Sequence, residues 1–236
     1  MKIGILLTDH VMDELIAEHG DMDYFYKYIF NKVDPTIELK IFDVVEGIYP
    51  SSINICEGYL ITGSRFSVYD KIDWIDRLKE FVMELNQLKK PLIGVCFGHQ
   101  IIAEVLGGET KVAESGWTVG NQTYNLIKTM PWLNEDITSF TLLHSHKDQV
   151  KRLPDNATLI ASTENVPIAM YTVEGHIFSH QGHPEFRSEY VHDVATIRKE
   201  VLGDEVYYAA LKNLKSKVPD NEKIAKCWVE FFRQKG

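Results

Sequence analysis

Cysteine is scarce in this chain: Cys56, Cys96 and Cys227 are the whole complement of its 236 residues. A sparse, odd-numbered set excludes a disulfide framework and fits free thiols in a reducing cytoplasm. Long apolar runs are missing as well, and none approaches a membrane span. Met1-Lys2-Ile3 opens directly into an apolar run that Asp9-His10 ends too early for a signal peptide. Positive charge is in deficit. The formal net charge of −9 argues against a nucleic-acid or anionic-membrane surface, and Lys212, Lys215 and Lys217 read as a solvated helix face. The chain has no G-x-x-x-x-G-K-[ST] phosphate loop, no repeat, no low-complexity tract and no linker-like stretch. Its length suits one well-buried domain spanning 1–236.

What is present centres on Pro91-Leu92-Ile93-Gly94-Val95-Cys96-Phe97-Gly98-His99-Gln100. Leu92, Ile93 and Val95 read as a buried strand. The chain then turns at Gly98 and continues as a helix through Ile101, Ile102, Val105 and Leu106, stopping at Gly107-Gly108. Glycines on both sides of Cys96 permit a sharp strand-to-helix turn, the geometry of a nucleophile elbow with cysteine in place of serine. A thiol there sits at a helix N-terminus, where the dipole favours thiolate. A second segment, Ser179-His180-Gln181-Gly182-His183-Pro184-Glu185-Phe186, follows another apolar run. His183 and Glu185 are two apart, so in extended backbone they face one side, and Pro184 stiffens the link. A carboxylate orienting an imidazole is the logic of a triad: Glu185 fixes His183, and His183 exchanges a proton with Cys96.

These segments resemble the class I glutamine amidotransferases, whose nucleophile pattern G-[VI]-C-x-G-x-Q and base segment H-P-E both occur here in order. Tyr59-Leu60-Ile61-Thr62-Gly63-Ser64 looks like the strand and turn that form that family's oxyanion hole. His144-Ser145-His146-Lys147-Asp148-Gln149-Val150 looks like the segment lying over the substrate's α-amino and α-carboxylate groups. The resemblance runs from about Ile3 to about Phe186. Within the family it is nearest the plant γ-glutamyl peptidases and stand-alone GMP-synthase-like proteins, through Cys96–Ala103, Gln181–Phe186 and Asp70–Ile75. Gly63-Ser64-Arg65 replaces the Gly-Gly-Pro of synthetase-linked members, and Gly182 stands where many of those have an aromatic residue.

The resemblance implies a three-layer α/β/α, flavodoxin-like fold with a mostly parallel sheet and an antiparallel extension. It implies a cytoplasmic hydrolase of γ-glutamyl amides, working through a γ-glutamyl thioester without cofactor or metal. Cys96, His183 and Glu185 would be catalytic, and the backbone of Gly63 and Phe97 would form the oxyanion hole. Gln100, Ser64, His144, Ser145 and His146 would bind substrate. A second reading makes the chain a glutaminase subunit supplying ammonia to a separate synthetase, since the chain is too short to hold both. A third is a non-catalytic cysteine sensor or binding module on the same fold.

The hydrophobic pattern supports such a fold independently. Strands at Lys2–Leu7, Ile37–Val44, Gly58–Thr62 and Leu92–Val95 alternate with helices near Met22–Val33 and Ile72–Lys89, which predicts βαβ units and a parallel sheet. Beyond Gly108, short strands follow at Gln122–Ile127, Ser139–Leu143, Thr158–Ser162, Ile168–Thr172 and Ile177–Ser179. They are expected to form in part an antiparallel extension carrying a His144–Asp148 loop. From Glu189 the chain is helical, broken at Gly203 and Pro219. Simpler roles suit other candidates: Cys56 and Cys227 as buried apolar residues, His99 and Trp74 as packing, Asp73 as a helix-start acid. His144, His146, His176, His180 and His183 invite a metal reading, but no paired-cysteine motif accompanies them. Arg65 and Tyr69 stand where a leaving group would pass.

Overall fold

The structure is a computed structural model that describes residues 1–133 and 136–234. The first half runs β1 (Lys2–Leu7), α1 (Asp13–His19), α2 (Met22–Val33), β2 (Glu38–Asp43), β3 (Gly58–Ile61), α3 (Asp73–Gln87), β4 (Leu92–Val95) and α4 (Phe97–Val105). Then come β5 (Glu109–Val112), β6 (Thr118–Leu126), β7 (Ser139–His146), β8 (Asp148–Arg152), β9 (Ala157–Ser162), β10 (Met170–Val173) and β11 (Ile177–His180). Four helices close the chain: α5 (Ser188–Ile197), α6 (Lys199–Leu202), α7 (Asp204–Leu214) and α8 (Asn221–Arg233).

Nine strands form one sheet in the order β2-β1-β3-β4-β11-β10-β9-β6-β7. The first five are parallel and the rest pair antiparallel. Every residue of β3, β4 and β11 is buried, as a strand covered on both faces requires. In α3, Ile75, Leu78, Val82 and Leu85 step along one stripe onto one face of the sheet. On the opposite face α2 and α8 bury Tyr26, Phe30, Trp228 and Phe231. The result is three layers. Among the described residues no helix is long and apolar enough to cross a membrane.

Three features depart from the sequence expectation. The His144–Asp148 segment is not a loop: His144–His146 end β7, Asp148 begins β8, and Lys147 alone separates them. β8 leaves the main sheet to pair with β5, because Thr110 and Val150 bury one face of that small ribbon while Lys111 and Lys151 stay outside. Helix α1 was absent from the expected elements. It is short, and buries only Leu15 and His19.

Register decides where chemistry can occur. In the parallel β4–β11 pair Val95 lies opposite His180, so Cys96 and the residues after His180 leave the sheet side by side. Ligand crevices in open α/β sheets lie at such carboxyl ends.

Candidate active site

Cys96 is the residue between β4 and α4, with φ 51° and ψ −99°. A non-glycine residue in that region costs on the order of 1–3 kcal/mol and persists only where the surroundings enforce it. Here they do. The Cys96 amide donates to His180 O at 3.0 Å and the Gly98 amide to Thr62 O at 3.1 Å. A Cβ on Gly94 would lie 2.6 Å from Gly98 O, and one on Gly98 would lie 2.5 Å from Ile61 O. The two glycines therefore serve close backbone approach at the elbow, and the Cys96 side chain emerges almost buried, 4% exposed.

His183 borders the same cleft as Cys96, both of them beside Gly63, and its Nδ1 donates to Glu185 Oε1 at 2.7 Å. Its amide donates to Leu143 O at 2.8 Å, and its ring stacks on Phe186 with centroids 3.9 Å apart. Tyr26 Oη donates to the same Glu185 oxygen at 2.9 Å. Burial acts to lower the His183 pKa. The Glu185 carboxylate and the Cys96 sulfur outweigh it and push the imidazole up to about 10. Thiol, imidazole, carboxylate and phenol thus stand in series, and the sequence reading missed only Tyr26, 159 residues from its partner. A Cβ at Gly63 would meet His183 Cε1 at 2.7 Å, so the turn after β3 closes over the ring.

The cleft at Cys96 has two arms. Ser64, Arg65, Ser145 and Arg198 border both. The first arm adds Gln100, Ser67, His146 and Asp148. Gln100 Nε2 donates to Asp148 O at 2.8 Å and Gln181 Oε1 at 3.1 Å. Asp148 Oδ2 accepts from Ser67 Oγ and from Tyr69 Oη, which ties Tyr69 to this arm rather than to the other. Asp148 Oδ1 is buried and has no hydrogen-bond partner among the described residues, an uncommon state for a carboxylate oxygen. Asp148 lies in the segment that the resemblance sets over the substrate but is not among the residues singled out there, although its place two residues after His146 in extended backbone was a usable signal. The second arm adds His183, Phe186, Met12, Met22, Val191 and Val194. Arg65 is held by Asp9, with Nε 2.9 Å from the carboxylate, and by His10 O.

His144 borders neither arm. It is fully buried, accepting from Tyr124 Oη at Nε2 and donating from Nδ1 to His146 Nε2, both at 2.9 Å. His146 Nδ1 in turn donates to Asp148 O at 3.0 Å, while Tyr124 Oη accepts the Gly182 amide at 2.8 Å. The carbonyl at one end and the amide at the other leave each atom of this chain a single role, donor or acceptor. Burial lowers the pKa of both histidines, to about 3 for His146, and keeps them neutral. His180 is similarly consumed, between Gly182 O and Trp228 Nε1. His99 is buried against Ser179 and Ile168 O. Cys56 and Cys227 are buried elsewhere.

The family model for glutamine amidotransferase class-I matches residues 45–202. Gamma-glutamyl peptidase 3 of Arabidopsis thaliana is 29% identical over 207 residues, covering 84% of this chain and 83% of its own. The GMP synthase of Aeropyrum pernix is 35% identical over 194 residues, 78% of this chain and 33% of that larger protein. A glutamine amidotransferase from Thermotoga maritima has the same fold, with a TM-score of 0.77 at 17% identity over 99% of this chain and 96% of its own. The architecture is that of a glutamine amidotransferase domain. The chain belongs to the class I glutamine amidotransferases.

Proposed function

We propose that the protein hydrolyses γ-glutamyl amides, with Cys96 as nucleophile, His183 as its base and Glu185 as the group that orients His183. The observation that supports this reading is Cys96 on a strained elbow, in the same cleft as a His183 whose Nδ1 is held by Glu185. The thiolate attacks the δ-carbonyl carbon and forms a C–S bond. His183 passes its proton to the departing amine as the C–N bond breaks. Water, deprotonated by His183, then hydrolyses the γ-glutamyl thioester, releasing glutamate and restoring the thiol.

For the oxyanion we favour the amides of Phe97 and Ser64. Phe97 is the first residue of α4, where an N–H has no intrahelical acceptor. The Ser64 amide has no partner among the described residues, whereas the Gly63 amide lies beside Tyr26 Oη. Each such donor contributes on the order of 3–4 kcal/mol of barrier lowering. The unpartnered Asp148 Oδ1, with Gln100 beside it, suits the ammonium of the γ-glutamyl end.

The test is to incubate the protein with glutamine and with γ-glutamyl dipeptides and to quantify glutamate. Brief acid quenching and intact-mass measurement should reveal a γ-glutamyl adduct on Cys96. Absence of Cys96-dependent glutamate from every substrate would reject the reading. Likeness to a GMP synthase supports a second reading, ammonia supply to a separate synthetase. It requires glutamine turnover that rises when such a partner is added.

A further inference from the structure

We infer that the arm beside His183 is a leaving-group site for an α-amino acid with an apolar side chain and a free carboxylate, the carboxylate pairing with Arg198. This rests on the hydrolase reading above. His183 must deliver its proton to the departing nitrogen, so the leaving group lies on the side of Cys96 that His183 borders. His183 borders the second arm only, whereas Gln100 and Asp148 border the first only. The two ends of a γ-glutamyl amide are thereby assigned to different arms.

The second arm is larger than ammonia needs: its cavity volume is about 50 Å³, against the roughly 10–15 Å³ that holds one water. Met12, Met22, Phe186, Val191 and Val194 give it apolar walls, which favour an apolar side chain by the area it removes from water. Asp9 and Arg65 also border it but pair with each other, which leaves Arg198 as its unpaired charge, the residue joining α5 to α6, whose amide is bonded to Val194 O. The Arg198 guanidinium has no hydrogen-bond or ion-pair partner among the described residues, in contrast to Arg65, which Asp9 and His10 O satisfy. Burial and the neighbouring Arg65 work against its charge, Tyr190 and Asp9 work for it, and the balance lowers its pKa, yet a guanidinium stays protonated. A half-buried, unpaired guanidinium above an apolar pocket matches an amino acid's carboxylate, which it can grip in a bidentate manner. Glutamine offers that arm neither group.

The experiment compares kcat/KM for γ-glutamyl-phenylalanine, γ-glutamyl-phenylalaninamide, γ-glutamyl-glycine and glutamine, with Cys96→Ala as blank. The phenylalanine substrate should exceed its amide by on the order of 10- to 100-fold, the range for a charge-assisted hydrogen-bonded pair, and should also exceed the glycine substrate. In Arg198→Met the acid-to-amide ratio should fall towards one, and Arg198→Lys should retain an intermediate ratio. A wild-type ratio near one overturns the inference without any variant. Equal losses for all four substrates in Arg198→Met would overturn it too, placing Arg198 at the γ-glutamyl end. Both of those outcomes leave the hydrolase reading standing. No Cys96-dependent glutamate from any substrate would instead remove the hydrolase reading beneath it.

Discussion

Replacing Gly182 with alanine should destabilise the protein far more than one methyl group suggests. The added Cβ would sit 2.7 Å from both His144 Nε2 and Tyr124 Oη, and 2.9 Å from Leu142 Cβ. None of these is the free end of a flexible side chain. His144 and Tyr124 are fully buried and bonded to each other, and Tyr124 also accepts the Gly182 amide. Overpacking costs about 1–3 kcal/mol, and each buried polar group left without a partner costs about 1–3 kcal/mol more. With the Tyr124–His144 bond broken, the expected loss is about 3–5 kcal/mol, a large share of a typical domain's stability. Urea denaturation followed by circular dichroism measures it. Tyr124→Phe removes the clashing oxygen, so in the double variant the two losses should fall short of their sum by about 1–2 kcal/mol. A Gly182→Ala loss below about 1 kcal/mol, or strict additivity with Tyr124→Phe, would refute the steric argument.

Further expectations concern the site itself. Glu185→Gln should lower kcat by about 10³- to 10⁴-fold, as loss of the orienting carboxylate does in triads, with little change in KM; steady-state kinetics on a γ-glutamyl substrate decides it. Since the folded His183 pKa is raised to about 10, its charge stabilises the fold fully below the ordinary histidine value near 6.5, and that share is lost as pH rises through about 10. Urea midpoints between pH 6.5 and 10.5 should therefore decline more steeply in wild type than in Glu185→Gln, and parallel slopes would contradict the assignment. Asp148→Asn removes the buried, unpartnered carboxylate oxygen from the first arm and should raise KM by about 10-fold or more, an effect of the size expected for a charged hydrogen bond; an unchanged KM would exclude the ammonium role.

Where local chemistry dictates structure, the sequence alone sufficed. The Gly94-x-Cys96-x-Gly98 frame reads as an elbow because side chains at either glycine would meet backbone there, and Cys96 does adopt φ 51°. The three- and four-residue steps of Ile75, Leu78, Val82 and Leu85 mark α3 within about a residue at its start. The β5–β8 ribbon was invisible because its four- and five-residue strands bury too little to impose a pattern. The β7 end resembled a loop because polar His144 and His146 sit in strand positions usually filled by apolar residues. Their burial is offset by bonds to Tyr124 and Asp148, which only tertiary structure supplies. Tyr26 and Arg198 were out of reach for a related reason: each meets the site across a long stretch of chain, and no local pattern announces it.

The order in which the site closes follows from the pairing of β4 with β11. Cys96 is synthesised well before His183, and the strand that brings the imidazole to it pairs only across a long sequence separation. The supporting contacts are just as distant: Tyr26 reaches Glu185 across 159 residues, and His19 reaches Asp193 across 174. Such pairings form late, after the entropic cost of closing large loops has been met. During synthesis Cys96 therefore stands without His183 beside it, on a turn that the unfinished sheet does not yet enforce. Recovery of a Cys96-dependent turnover after refolding should lag behind the appearance of helical signal, which makes catalysis itself a clock for the last step of assembly.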